Sequence, residues 1–562
     1  MDVKLTPQED QLCTLLDECA EEMKAEGVQT SCRIAGGWVR DKLLGLQSND
    51  IDVALEDIMG VIFAQKFISY CYNEKRLEIK GVTKIASNPE QSKHLETART
   101  TVLGYELDFV NLRSEEYASG SRIPTQVTFG TPLQDAMRRD ITINALFYNV
   151  HTRSVEDCTG KGLEDIRHGL IRTPLPPRET FMDDPLRVIR CVRFASRLGF
   201  DLVPELQDAV RDPEIQTAVV SKISRERVGD ELNKMMKGRD PLRSIQLIHN
   251  LSLYGPVFHL PPSLESNLSG TPTSPEDAVK AASILNLFLG NTSPTSYTQN
   301  FSLTALSSLF IPQLHPLLLA DVTKHPAVLA RVWLACALTP YRGLTYVGRK
   351  GKRCSVIEGI LRDGLKIGTQ NHYLDGTPAL FAAWDVLSES ISTWTPASTD
   401  GEERVRQGLL LRHKSVHQPQ ILGITWSTSM LFSLVQDLVP LWDITREALD
   451  APAAEKRIQA YNTFISRAEE VGTPGLVDCK TIVDGRDILR VLDANPGPWT
   501  GKVLGRVLQW QLEFPDGTKE QCEEWLKSEY AAGRLATPES GASGIKRSQD
   551  IDEEGAVKKA KT

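Results

Sequence analysis

Two glycines, an arginine and two aspartates between Gly36 and Asp52 are the residues best equipped for chemistry. Gly36 and Gly37 end a short apolar run, and a helical segment is expected from about Val39 to Leu44, stopped by Gly45. Paired glycines ahead of a helix let the backbone approach a phosphate, and the helix N-terminus turns free N–H groups toward the anion. Arg40, one turn in, adds a cationic fork. Asn49 to Leu55 then alternates as a strand, so Asp50 and Asp52 share one face while Ile51 and Val53 share the other. Two same-side carboxylates repel unless a cation lies between them, and Mg²⁺ takes such oxygens together with substrate phosphates. An acidic pair alone would read as a solvated turn. A phosphate cradle directly ahead of it points to nucleotidyl transfer.

Three further stretches carry charge at informative spacing. Thr101 to Arg113 reads as one strand with Leu107 and Phe109 on one face and Glu106 and Asp108 on the other. Either acid can supply a third carboxylate. Arg138, Arg139 and Asp140 crowd the start of an apolar run. Thr180 to Leu198 reads as a helix with Pro185 in its first turn, which puts Arg187, Arg190, Arg193 and Arg197 within an arc of about 120°. Asp184 lies about 60° beyond Arg187 on the same projection. A solvated face normally mixes signs, so four arginines on one stripe predict an anionic ligand. The Asp184–Arg187 pair allows a sharper expectation. Cytosine and adenine both offer an exocyclic amine beside a ring-nitrogen acceptor, which a carboxylate and a guanidinium complement. Uracil and guanine present a carbonyl and a ring N–H there, and both contacts become mismatches.

The elements that must hold these residues are legible in outline. Leu5 to Met23 has helical spacing, as has Val61 to Tyr72. Gly81 to Thr100 begins as a strand and turns polar at Asn88-Pro89, which predicts a long mobile loop. Gly160 and Gly162 around Lys161 suggest a hinge. Ile223 to Met235 is expected as a helix with Ser224 as N-cap. Leu- and Ala-rich helical patterns follow at 276–290, 302–345, 353–366, 377–393, 427–448 and 452–471. Beyond about 536 the composition turns to Ser, Gly, Lys and Glu, which predicts disorder.

Composition narrows the class. In 562 residues, 24% are charged and 41% apolar, with net charge −9, so the chain is globular and any nucleic-acid site is a local basic surface. Ten cysteines without a C-x-x-C pair argue for reduced thiols, without a disulfide framework or a zinc site. There is no apolar run long enough to span a bilayer. The first residues lack an Arg-rich leader or an apolar signal core.

The sequence GGWVRDKLLG followed by DIDVAL resembles the first motif of polymerase-β-type nucleotidyltransferases, and is most similar to class II CCA-adding enzymes and the related bacterial-type poly(A) polymerases. The resemblance covers residues 30–240 strongly and the remainder weakly. It favours Asp108 over Glu106 as the third carboxylate, because DFVNLR matches the family pattern. RRDITINAL matches a motif whose second arginine, here Arg139, contacts the nucleotide and whose aspartate, here Asp140, lies beside the sugar. DDPLR matches the family's base-reading motif, with Asp183 in place of the commoner Glu. It makes Gly36, Gly37, Arg40, Arg139, Asp140, Asp184, Arg187, Arg190 and Arg193 nucleotide-binding, Asp50, Asp52 and Asp108 catalytic, and Asp50 and Asp52 the Mg²⁺ ligands. The loop within 81–100 corresponds to a flexible loop of the family. DGRDILR and PGPWTGKVLGR resemble its C-terminal element, where Lys502 and Arg506 can hold an RNA phosphate.

The implied fold is an α+β head with a mixed sheet (1–150), followed by all-α neck (151–240), body (241–395) and tail (396–535), and a disordered end (536–562). The implied reaction is template-independent addition and repair of the tRNA 3′-CCA end from CTP and ATP by a monomer with no membrane association. Alternatives are a poly(A) polymerase, a CC-only or A-only enzyme, and an RNA-binding protein with an inactive head. Lys546-Arg547 with Lys558 to Lys561 resembles a bipartite nuclear-import signal, so cytoplasm and nucleus are expected, with a mitochondrial share left open.

Overall fold

The computed structural model describes residues 2–77, 80–85, 97–117, 124–290, 312–348 and 351–535. The chain forms two compact units, one from residues 1–388 with 418–458 and the other from 389–417 with 459–562.

The first unit opens with α1 (Pro7–Ala25), capped by a reciprocal pair in which Thr6 Oγ1 accepts from the Glu9 N–H and Glu9 accepts from the Thr6 N–H. Then come β1 (Cys32–Ala35), α2 (Gly37–Leu43), β2 (Asp50–Leu55), α3 (Gly60–Asn73), β3 (Lys80–Ile85), β4 (Thr97–Val102) and β5 (Tyr105–Asn111). A hairpin of β6 (Arg113–Tyr117) and β7 (Pro124–Phe129) leads to α4 (Pro132–Met137), β8 (Phe147–Asn149) and β9 (Ser154–Glu156). Seven strands form one sheet in the order β3-β4-β5-β2-β1-β8-β9. β2 and β5 pair in parallel and the other neighbours antiparallel, so the sheet is mixed. Phe63 and Phe67 of α3 pack on Phe109 of β5 with ring centroids 5.6 and 5.8 Å away. This aromatic cluster fixes β5 beside β2. The loop expected to run on to Thr100 ends sooner, because residues 97–100 belong to β4; positions 86–96 lie outside the described residues, as does the basic end 536–562.

The helices that follow are α5 (Gly162–His168), α6 (Pro177–Asp183), α7 (Leu186–Leu198), α8 (Pro204–Arg211), α9 (Pro213–Lys222) and α10 (Arg225–Met236). The single helix expected from Thr180 is two. Asp184 is extended, with φ −135° and ψ 98°, because the residue before a proline is driven out of the helical region. The strand expected over Thr101–Arg113 is likewise broken at Leu103-Gly104, both at positive φ, and turns back as the β4–β5 hairpin.

Farther along the chain, helices stand at Glu276–Phe288, Pro316–Lys324, Pro326–Ala337, Tyr373–Ser392, Trp426–Leu438 and Ala451–Glu470, and positions 302–311 of the pattern expected at 302–345 lie outside the described residues. Two patterns fall short of the helices expected. Residues 353–366 hold a short strand, one helical turn and a π-turn, and the helix begun at Trp426 stops at Leu438 ahead of Pro440. A further helix, Asp400–Leu411, lies between the patterns expected at 377–393 and 427–448, and it starts on Thr399, whose side chain accepts from the Glu402 N–H. In the second unit, Gly485–Leu492, Trp499–Glu513 and Lys519–Ala531 close on a core of Val483, Ile488, Val503, Val507, Cys522 and Leu526. All ten cysteines are free thiols. Among the described residues no helix is long and apolar enough to cross a membrane.

Candidate active site

Strand β2 places its residues by simple alternation. Ile51 and Val53 are fully buried, while Asp50 and Asp52 are exposed on the opposite face. The parallel register with β5 sets Glu106 beside Asp50 and Asp108 beside Asp52, so four carboxylates share one face of two adjacent strands. The two acids of β5 are not equivalent. Asp108 faces Arg99 across the β4 register and accepts two hydrogen bonds from it, Nε to Oδ1 at 2.7 Å and Nη2 to Oδ2 at 2.5 Å. Among the described residues neither Asp50 nor Asp52 has such an ion-pair partner. Desolvation by the surrounding protein pushes the Asp52 carboxyl up to about 6; Asp50 and Asp108 add to the rise, and Arg139 opposes it. A carboxylate kept under this stress is set to gain from a bound cation. Among the described residues no cluster of three or more His, Cys, Asp or Glu side chains forms a ready-made metal cage. Two hard oxygen donors without an ion-pair partner among the described residues fit a divalent ion that completes its shell with substrate oxygens.

The turn ahead of α2 is fixed by Gly36, at φ +70°, whose N–H donates to the Leu146 carbonyl at 3.0 Å. A Cβ at Gly36 would lie 2.8 Å from Arg139 Nη1, so the missing side chain is what lets Arg139 lie across the turn. Arg139 is held there by the Asp135 carboxylate, at 3.0 Å from Nε, and by the Asn144 carbonyl, at 3.1 Å from Nη1. Arg138 donates to the other Asp135 oxygen at 2.9 Å. Burial works to raise the Asp135 carboxyl, but the two arginines outweigh it and hold it below its usual range. Asp135→Ala would remove the carboxylate that both guanidiniums share and is expected to cost about 3–5 kcal/mol in unfolding free energy, read from denaturant midpoints. The depressed carboxyl supplies that stability above the ordinary value of 3.8 and loses it as pH falls further.

Arg40 does not stand open toward the Gly36-Gly37 turn. It is 3% exposed, with Nε and Nη2 on Asp41 Oδ1 at 2.8 and 2.6 Å, Nη1 on Asn144 Oδ1, and its guanidinium over the Phe194 ring at 5.1 Å. Asp140 is equally engaged. Its Oδ1 accepts from the Ile141 N–H and from Asn144 Nδ2, and its Oδ2 accepts from Arg190 Nε at 2.8 Å. Burial would raise this carboxyl, yet Arg190 and the hydrogen bonds hold it low.

The arginine stripe of α7 meets acids from elsewhere in the chain. Arg190 pairs with Asp140, Arg193 with Glu231 of α10, and Arg197 with Asp41 at 3.4 Å. The stripe is therefore a set of ion pairs joining head, α7 and α10, which its lack of acids within the helix had concealed. Arg187, 8% exposed, donates from Nη2 to the Arg138 carbonyl at 2.6 Å and from Nη1 to the Thr180 carbonyl at 3.4 Å. Asp184 accepts from the Leu186 N–H at 3.1 Å and from Arg227 at 3.2 Å. The two side chains thus start from separate partners. Arg99, Asp41, Asp135 and Arg227 are the site residues that the sequence did not single out. Only Asp41, next to Arg40, and Asp135, ahead of the arginine pair, had a local signal. In the second unit Arg506 leans on Glu529 at 3.4 Å, and Lys502 is exposed.

A mixed sheet carrying an acidic pair beside a glycine turn, followed by helices, defines the class as nucleotidyltransferase. Residues 32–172 match the poly A polymerase head domain, and residues 199–268 match the family described as "Probable RNA and SrmB- binding site of polymerase A". The chain is 35% identical to the mitochondrial CCA tRNA nucleotidyltransferase of Saccharomyces cerevisiae, over 94% of each chain. It is 33% identical to a tRNA nucleotidyltransferase of Schizosaccharomyces pombe, over 87% of this chain and 89% of that one. The fold is similar to that of the Thermotoga maritima CCA-adding enzyme solved with tRNA-CCA, with a TM-score of 0.55 and 17% identity over 94% of this chain and 96% of that one. The chain belongs to the CCA tRNA nucleotidyltransferase family. Membership implies dependence on a divalent metal.

Proposed function

We propose that this chain builds and repairs the 3′-terminal CCA of tRNA without a nucleic-acid template, taking CTP and ATP and releasing pyrophosphate. The observation that carries the reading is the Asp50–Asp52 pair on the exposed face of β2, without an ion-pair partner among the described residues. The Saccharomyces relative named for this activity, aligned over 94% of both chains, supports it. Asp50 and Asp52 would hold Mg²⁺, which on binding orients the triphosphate and lowers the pKa of the RNA 3′-hydroxyl. Asp108 completes the acidic face while Arg99 balances its charge. Arg139, locked by Asp135 across the Gly36 turn, offers a cation beside the backbone that approaches the phosphates. Asp184 and Arg187 read the base, with Arg227 orienting Asp184. Residues 1–150 serve as head, 151–240 as neck, 241–395 as body and 396–535 as RNA-holding tail. The protein works in cytoplasm and nucleus, with 536–562 as the import segment, and the mitochondrial designation of two fungal relatives supports a further share there.

The deciding experiment is extension of tRNA lacking CCA with each labelled nucleotide alone and in combination. Successive C, C and A supports the reading. Runs of A would make the protein a poly(A) polymerase, addition of only C or only A a partial enzyme, and no addition an inactive head. A second test uses pH. Protons and the metal compete for Asp52, whose carboxyl sits at about 6. The Mg²⁺ concentration for half-maximal rate is therefore expected to be flat above that pH and to climb about tenfold per unit below it. A requirement that stays flat below pH 6 would remove Asp52 from the metal.

A further inference from the structure

Arg331, on the helix Pro326–Ala337, is 2% exposed. Its Nη1 donates to the Leu422 carbonyl at 3.0 Å, and its buried Nε has no hydrogen-bond partner. Burial pushes the guanidinium down to about 10, which leaves it charged at neutral pH. No carboxylate among the described residues pairs with it. The neighbouring Tyr373 cannot serve as counter-anion, because burial pushes its phenol up to about 12 and its hydroxyl donates to Asn233 Oδ1. Arg225 makes the contrast. It too is pushed down to about 10, but its three nitrogens donate to the carbonyls of Gly364, Pro256 and Val257. One buried arginine is fully satisfied by backbone; the other holds an enclosed charge, which proteins tolerate poorly without a partner.

The surroundings of Arg331 carry donors and space for its head group. A Cβ at Gly376 or at Gly423 would lie 2.7 Å from Nη1. Thr377 Oγ1, fully buried, has no partner either. Thr377 lies near the start of the 20-residue helix Tyr373–Ser392, whose N-terminal end carries a partial positive charge, although its Tyr373 N–H is already given to the Gln370 carbonyl and the exposed Asp375 lies in its first turn. The flanking segments 368–372 and 421–423 are partly exposed, with Ile421 69% open.

We propose that Arg331, Thr377 and the first turn of the Tyr373–Ser392 helix form a binding site for a phosphate-class oxyanion. Inorganic phosphate and an RNA phosphodiester share the chemistry, and two measurements separate them. The full chain, Arg331→Met and Thr377→Val are melted across a series of sodium phosphate concentrations, with sodium gluconate holding ionic strength. The wild-type midpoint should rise with saturation, Thr377→Val should need about tenfold more phosphate, and Arg331→Met should not show this rise. Without phosphate Arg331→Met should melt at or above wild type, since it removes an unpaired buried charge. Phosphate binding at the catalytic face would raise all three equally, so an equal rise, or none, overturns the proposal. If Arg331→Met does not fold, the wild-type and Thr377→Val curves decide alone, and coincident curves overturn it. The second measurement rests on the tRNA reading. A lower affinity of Arg331→Met for tRNA, with a log–log salt slope smaller by about one, assigns an RNA phosphate; unchanged tRNA binding with a lost phosphate response assigns the free ion.

Discussion

Asp52→Ala is expected to lower incorporation of both C and A by about 10³-fold or more while leaving tRNA affinity within about twofold. A catalytic metal supplies several kcal/mol of transition-state stabilisation, and each 1.36 kcal/mol is a factor of ten in rate, so the loss of one of two ligands spans about three decades. Asp52 shares its face with three other acids, so the RNA has no reason to rely on its charge for binding. Single-turnover extension at saturating Mg²⁺ measures the rate, and a filter assay measures binding. A rate within tenfold of wild type would sink the assignment of Asp52 to the metal. A second signature is independent of turnover. The raised carboxyl favours the folded protein when protonated, an advantage present below 3.8 and lost as pH rises through about 6. Asp52→Asn should therefore melt above wild type at pH 7.5 without metal, and the gap should close below pH 4. Adding Mg²⁺ should raise the wild-type midpoint more than the variant's.

The first motif could be read because everything in it is local. Gly36 needs a positive φ, Asp50 and Asp52 alternate with Ile51 and Val53, and α2 follows within a few residues. What the sequence withheld was pairing over distance. Arg99 reaches Asp108 through strand register, Arg197 reaches Asp41 across 156 positions, and Arg193 reaches Glu231 from another helix. Helical projection shows which side chains share a stripe, but not which element faces that stripe. It therefore presented four neighbouring arginines as an anion site when most were already matched by acids. The same limit hid the role of Arg40, whose partner Asn144 lies 104 residues on. Pro185 was visible, but its consequence was read one step short. It ends α6 before Asp184 and leaves that residue extended between two helices, a conformation a carboxylate inside a helix would lack.

That break is what makes base choice testable. Replacing both Asp184 and Arg187 by Ala should leave phosphoryl transfer in place, because neither is assigned to metal or triphosphate, and should remove discrimination. In the native pocket UTP would set its carbonyl against Asp184 and its N3–H against Arg187, leaving buried polar groups unpaired. Each mismatch costs about 1–3 kcal/mol, so two together represent roughly 30- to 10⁴-fold selectivity. Truncation removes the correct pairing and the penalty together, so CTP and ATP rates fall and the CTP:UTP ratio approaches unity. Arg187 also holds the Arg138 and Thr180 carbonyls, so the double variant will lose some stability, and absolute rates will reflect the folded fraction. The ratio is immune to that, since one preparation serves all four nucleotides. Arg227→Ala supplies the graded case. It keeps both groups proposed to read the base but frees the Asp184 carboxylate from its 3.2 Å partner, and is expected to erode the ratio by about tenfold through misorientation. A double variant that still prefers CTP over UTP as strongly as wild type would mean the base is read by other groups.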